Sequence, residues 1–106
     1  MSKSFIYIIG PENGPYKIGH SVNPDKRCSQ LQTGRLEKIR VLYTKEIDKE
    51  IVEVIEKLIH KQLSVHKVRG EWFNLSLDDM IMEIDFAFIR WADVPNLKEK
   101  FRLNLL

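Results

Sequence analysis

The sequence predicts an α+β fold whose elements follow the order β-β-α-β-α-α, and three patterns predict it. Two β-branched and aromatic runs flank a stretch dense in turn formers, Gly10-Pro11-Glu12-Asn13-Gly14-Pro15. Apolar and polar residues alternate over residues 37–47, the period of a half-buried strand. From about Asp48 to His66 the apolar positions recur at helical spacing instead.

The first strand is Ser4-Phe5-Ile6-Tyr7-Ile8-Ile9, with Phe5, Tyr7 and Ile9 on one face and Ile6 and Ile8 on the other. Tyr16-Lys17-Ile18-Gly19-His20-Ser21-Val22 is the second, and the turn-rich connection makes the two an antiparallel hairpin. Asn23 can cap the helix that follows, Pro24 suits its first turn and Asp25 favours its positive end. That helix carries Lys26, Arg27, Cys28, Gln30 and Leu31, and Thr33-Gly34 stops it. Ile39, Val41 and Tyr43 alternate with polar neighbours in a third strand.

The long amphipathic helix then buries Ile51, Val52, Ile55, Leu58, Ile59 and Leu63 and presents Glu53, Glu56, Lys57, His60 and Lys61 on its opposite face. Residues 68–75 break it, with room for a short extended piece. Ser76, Asp78 and Asp79 open another helix running from Met80 to Trp91, and Pro95 begins a last short one. No repeat or linker divides the chain, so residues 1–106 are expected to be one domain with a core over about 4–75. The segment 76–106, rich in residues such as Ile84, Phe86, Ile89 and Leu106, is expected to pack on that core and cap the sheet.

Composition narrows the function classes. The apolar fraction of 43% and charged fraction of 30% are those of a globular protein, not a disordered one. A net charge of +2 permits a nucleic-acid partner only through local clustering of cations. Cys28 is the sole cysteine, which excludes an internal disulfide and a cysteine-built zinc site. The apolar run near the start is too short for a signal peptide and no stretch is long enough to span a bilayer, so a cytoplasmic, membrane-free protein is expected.

Within this frame Tyr7, Lys17 and Arg27 are notable in combination. Two cations near one phenol would favour its ionised form and could also hold a phosphate, whereas each alone would be an ordinary strand aromatic or surface charge. Their spacing carries a family resemblance. Ile6-Tyr7-Ile8-Ile9, Tyr16-Lys17-Ile18-Gly19 and Asn23-Pro24-Asp25-Lys26-Arg27, followed by Leu31-Gln32-Thr33-Gly34 and Gly70-Glu71-Trp72-Phe73, resemble in order the GIY-YIG endonuclease core, and specifically its phage-type branch. The resemblance covers about residues 4–75.

It implies a three-stranded antiparallel sheet flanked by helices, with hydrolysis of nucleic-acid phosphodiester bonds over the sheet. The tyrosine acting as general base corresponds to Tyr7 and the phosphate-binding arginine to Arg27. The second-motif tyrosine is replaced by Lys17, as in some restriction enzymes of the superfamily, with Tyr16 one place earlier, and Phe5 replaces the first-motif glycine. The metal-binding glutamate is best matched by Glu56, with Glu53 and Glu71 as competitors. One carboxylate completed by water and phosphate oxygens suits Mg²⁺ or Mn²⁺. His60, four residues after Glu56, is its neighbour on the helix surface.

Tyr16, His20, Lys26, Arg35 and Asn74 are the expected substrate contacts, and Lys38 and Arg40 add basic charge nearby. His66 is expected to be structural or exposed. DNA is the expected partner, with specificity supplied by a homodimer or a partner protein, and a phage or mobile-element origin fits the branch. The competing reading is a catalytically silent nucleic-acid-binding or regulatory module on the same fold.

Overall fold

In the computed structural model, which describes residues 2–106, the opening β-branched run forms β1 (Lys3–Gly10). It pairs antiparallel with β2 (Tyr16–Ser21), Tyr7 opposite Gly19 and Ile9 opposite Lys17. The free edge of β1 takes β3 (Arg40–Asp48), again antiparallel, with a register slip between Ile8 and Ile9.

The sheet has five strands, which corrects the expected three. Two short strands, β4 (Lys67–Arg69) and β5 (Trp72–Phe73), complete the order β3-β1-β2-β5-β4. Gly70, at φ 55°, makes the reversal between them in the left-handed region that glycine tolerates best. With two or three residues each, these strands are too short to show an alternation in the sequence. Their pairing with β2 is a tertiary event.

Two of the helices begin where the caps predict. Asn23 Oδ1 accepts the Lys26 amide at 3.1 Å at the head of α1 (Pro24–Gln32). Helix α2 is Val52–Gln62, shorter than the stripe from Asp48 to His66, because β3 extends to Asp48 and Ser64–His66 tightens into a 3-10 turn. Ser76 Oγ accepts the Asp79 amide at 3.1 Å and starts α3 (Leu77–Trp91). After Pro95 and a left-handed Asn96, α4 (Leu97–Arg102) follows.

The alternation along β1 divides the apolar residues between two cores. Ile6, Ile8 and Ile18 lie in the main core with Ile55 and Ile59 of α2 and Met80 and Ile84 of α3. Tyr7, Ile9 and Ile39 form a smaller one, covered by Cys28 and Leu31 of α1. Each fully buried isoleucine contributes about 1.5–3 kcal/mol, so the first core dominates. The sheet therefore carries α1 on one face and α2 with α3 on the other. The cap expected of the C-terminal segment is only partial: α3 buries Met80, Ile84 and Ala87 but leaves Met82, Phe86 and Ile89 exposed, as are Leu103, Leu105 and Leu106. No helix among the described residues is long and apolar enough to cross a membrane.

Candidate active site

The phenol of Tyr7 points from β1 across β2 and is almost wholly buried. It can lie there only because Gly19 stands opposite: a Cβ at position 19 would be 2.6 Å from the Tyr7 Cζ. Lys17, two residues earlier on β2, shares that face and is buried to 7% exposure. Burying a charge demands a partner, and Lys17 Nζ finds Glu71 Oε1 at 2.5 Å. Its ammonium also lies 5.9 Å from the centre of the Trp72 ring, which the Arg35 guanidinium covers at 4.7 Å.

From the sequence, Lys17 is expected to lower the phenol's pKa. The shift runs the other way. Burial pushes the Tyr7 phenol above its ordinary value, and the carboxylates Glu71 and Glu56 push in the same direction. The Arg27 guanidinium, reaching in from α1, favours the ionised form and offsets only part of this. Lys17 has its charge paired with Glu71 and is not among the groups that set the shift.

On the opposite face, α2 presents Glu56 with its side chain only 12% exposed. His20 Nδ1 contacts Glu56 Oε1, and His60 Nε2 lies 3.3 Å from Glu56 Oε2. His60 Nε2 is also 3.0 Å from the Ile18 carbonyl oxygen, which can only accept, so this nitrogen carries a proton. Phe73 meets the imidazole edge-on at 5.0 Å between ring centres and limits its tilt. Burial would raise the Glu56 pKa, but the hydrogen bonds and charge of the two histidines outweigh it and the net shift is downward. For His60 burial acts downward, and the Glu56 and Ile18 contacts outweigh it to leave the pKa raised. Carboxylate and imidazolium sustain each other.

Two groups from opposite sheet faces meet because β5 is so short. It pairs only with Tyr16 and Lys17 of β2, and the Ile18 amide donates to the Glu71 carbonyl at 3.1 Å. Beyond Ile18, β2 has no further partner on this side among the described residues. Glu71 sits at the end of the pairing. One of its oxygens holds Lys17, and it supplies a ligand atom within 4.8 Å of those of Glu56 and His60.

The remaining expected site residues fall into three groups. Tyr16 is corrected: it is a core residue, 5% exposed, whose hydroxyl donates to the Glu12 carbonyl at 2.9 Å, and it presents nothing to a substrate. Lys26 and Arg35 are exposed, Lys26 on the first turn of α1 and Arg35 against Trp72. Lys38 and Arg40 line a separate groove of about 500 Å³ between α1 and β3, together with Asp25 and Cys28. Asn74 is exposed and tied through its backbone amide to the His66 carbonyl. Glu53 points to solvent and pairs with Lys57 at 3.3 Å, so it does not share the face of Glu56 as the helical stripe suggested. Glu71 pairs with Lys17 across 54 residues of chain, and no local signal in the sequence announces such a pair.

The architecture is an α+β domain with a phenol, paired cations and a carboxylate–histidine group at the open end of an internal strand. Residues 4–90 match the T5orf172 domain, and the chain belongs to that family, a nuclease-associated type of domain. Among curated proteins the chain is similar to the small ribosomal subunit protein uS4 of Chlamydia felis (strain Fe/C-56), at 33% identity over 57 residues. The match takes in 54% of this chain but spans only 27% of that relative's length. No solved structure matches the chain.

Proposed function

We propose that this chain is a metal-dependent endonuclease of the GIY-YIG type that hydrolyses phosphodiester bonds, with DNA as its substrate. The observation that carries the reading is the meeting of Tyr7, Arg27, Lys17 and the Glu56 group around Gly19 of β2. Membership of a nuclease-associated family supports it.

Tyr7 is the general base, taking a proton from the attacking water at its phenolic oxygen. Gly19 and the small core under α1 fix the ring's direction. Arg27 neutralises charge on the non-bridging phosphate oxygens, the role a preorganised guanidinium performs best. Lys17 holds a buried positive charge beside the phosphate path. His20 and His60 orient the Glu56 carboxylate, His60 by sharing its Nε2 proton between that carboxylate and the Ile18 carbonyl.

The donor set fits a hard divalent cation: the two histidines favour the ionised form of Glu56, and a second carboxylate, Glu71, offers a ligand atom within 4.8 Å of that of Glu56. Glu56 would hold Mg²⁺ or Mn²⁺, and the bound cation supplies Lewis-acid stabilisation of the leaving oxygen. Lys26 and Arg35 are the outlying phosphate contacts, so binding should weaken steeply with salt. The expected result is nicking of supercoiled plasmid with Mg²⁺ or Mn²⁺, abolished by chelator, by Tyr7→Phe and by Glu56→Ala with the circular dichroism spectrum unchanged. Wild-type cutting by Tyr7→Phe would refute the mechanism.

A silent binding module has one specific observation in its favour, the raised rather than lowered pKa of the phenol. That reading expects salt-dependent binding of nucleic acid with no metal-dependent nicking at any pH.

A further inference from the structure

We propose that Glu71 is a second carboxylate ligand of the divalent cation, shared with Glu56, while the same side chain anchors Lys17; this rests on the assignment of a cation to Glu56 above. The ligand atoms of Glu56, His60 and Glu71 lie within 4.8 Å of one another, close enough for one cation to reach all three. The His60 nitrogen nearest Glu56 drops out of the set on hydrogen-bond grounds. This Nε2 donates to the Ile18 carbonyl and so has no lone pair to offer. Two carboxylates remain.

Glu71 is free to act in this way. Only its Oε1 is used by Lys17, and the side chain is 47% exposed, leaving its other oxygen open toward solvent. Its backbone is fixed by the Glu71 carbonyl accepting the Ile18 amide, so the carboxylate is held at the end of β5 rather than on a wandering loop. Glu71 thus joins the two halves of the site, with the ammonium of Lys17 on one face and the carboxylate of Glu56 on the other. An all-oxygen pair of carboxylates, completed by water and phosphate oxygens, selects Mg²⁺ or Mn²⁺, whereas a ligating imidazole would shift preference toward zinc.

Lys17 gives the test its sign. If Glu71 serves only as counter-ion to Lys17, removing either partner disturbs the site alike. If Glu71 is a ligand, removing Lys17 relieves a competing positive charge, and removing Glu71 takes away a donor. The 106-residue chain, freed of metal, is titrated with Mn²⁺ alone and free Mn²⁺ is read by electron paramagnetic resonance. Glu71→Gln, and Glu71→Ala as a second variant should the first misfold, are expected to weaken Mn²⁺ binding by about tenfold or more. Lys17→Met is expected to bind at least as tightly as wild type. Binding by both Glu71 variants within about twofold of wild type, or equal weakening by Lys17→Met, overturns the proposal. Undiminished binding by Glu56→Gln overturns the underlying cation assignment, and the shared cation with it, and so is distinguishable from a failure of Glu71 alone.

Discussion

Tyr7 and Gly19 are cross-strand partners in which one residue fills the space the other leaves: the phenol ring stands where a Cβ at position 19 would come within 2.6 Å of its Cζ. Gly19→Ala is therefore expected to push the ring aside. Overpacking of this kind costs about 1–3 kcal/mol, and misplacing a reacting group by about 1 Å costs on the order of 10²-fold in rate. Urea unfolding together with plasmid nicking checks both. A stable, fully active Gly19→Ala would show that the phenol's position is not critical.

The direction of the phenol's pKa has a consequence for the pH profile. Burial raises it above the ordinary value of 10.0, and Arg27 only partly opposes this. If the phenolate is the base, cleavage should rise with pH and show no plateau below pH 10. Single-turnover rates across the alkaline range measure it. A plateau near neutrality would assign the base to another group.

The carboxylate–imidazole pair predicts a stability optimum in the metal-free chain. Glu56 titrates below its free value of 4.5, so its contribution is present above that pH and is lost as pH falls through the lowered folded value. His60 titrates above its free value of 6.5, so its contribution is present below that pH and is lost as pH rises through the raised folded value. Both are in full force only between the two free values, and each fades progressively beyond its own. His60→Gln should flatten the alkaline fall in urea midpoints measured over a pH series, and an unchanged fall would contradict the pairing.

Stability and activity should separate at Tyr43. Its hydroxyl donates to Asp85 Oδ1 at 2.6 Å, joining β3 to α3, and burial with this contact pushes its pKa up to about 12. Lys45 pairs with the same oxygen at 3.1 Å. Tyr43→Phe removes one hydrogen bond to a charged group, about 1.5–3 kcal/mol, and leaves nicking intact because Tyr43 packs on the α3 side of the sheet. A selective loss of activity would mean that the two regions are coupled.

Much of this molecule is written locally. The alternation of β1 sorts Tyr7 and Ile9 from Ile6 and Ile8 into two cores, and the side chains of Asn23 and Ser76 start α1 and α3. The Tyr7, Lys17 and Arg27 spacing marks one half of the candidate site, since a hairpin followed by a capped helix brings those residues to one face. These features depend on neighbours a few residues apart, and backbone sterics and side-chain caps act over just that range. What the tertiary structure alone decided lies further apart: the attachment of β4 and β5 to the sheet, the Lys17–Glu71 pair, and the burial of Glu56 against two histidines while Glu53 stays in solvent. Even the sign of the Tyr7 shift was out of reach of the sequence, because cations can be counted in a chain but burial cannot. Desolvation and long-range pairing exist only once the chain has closed on itself.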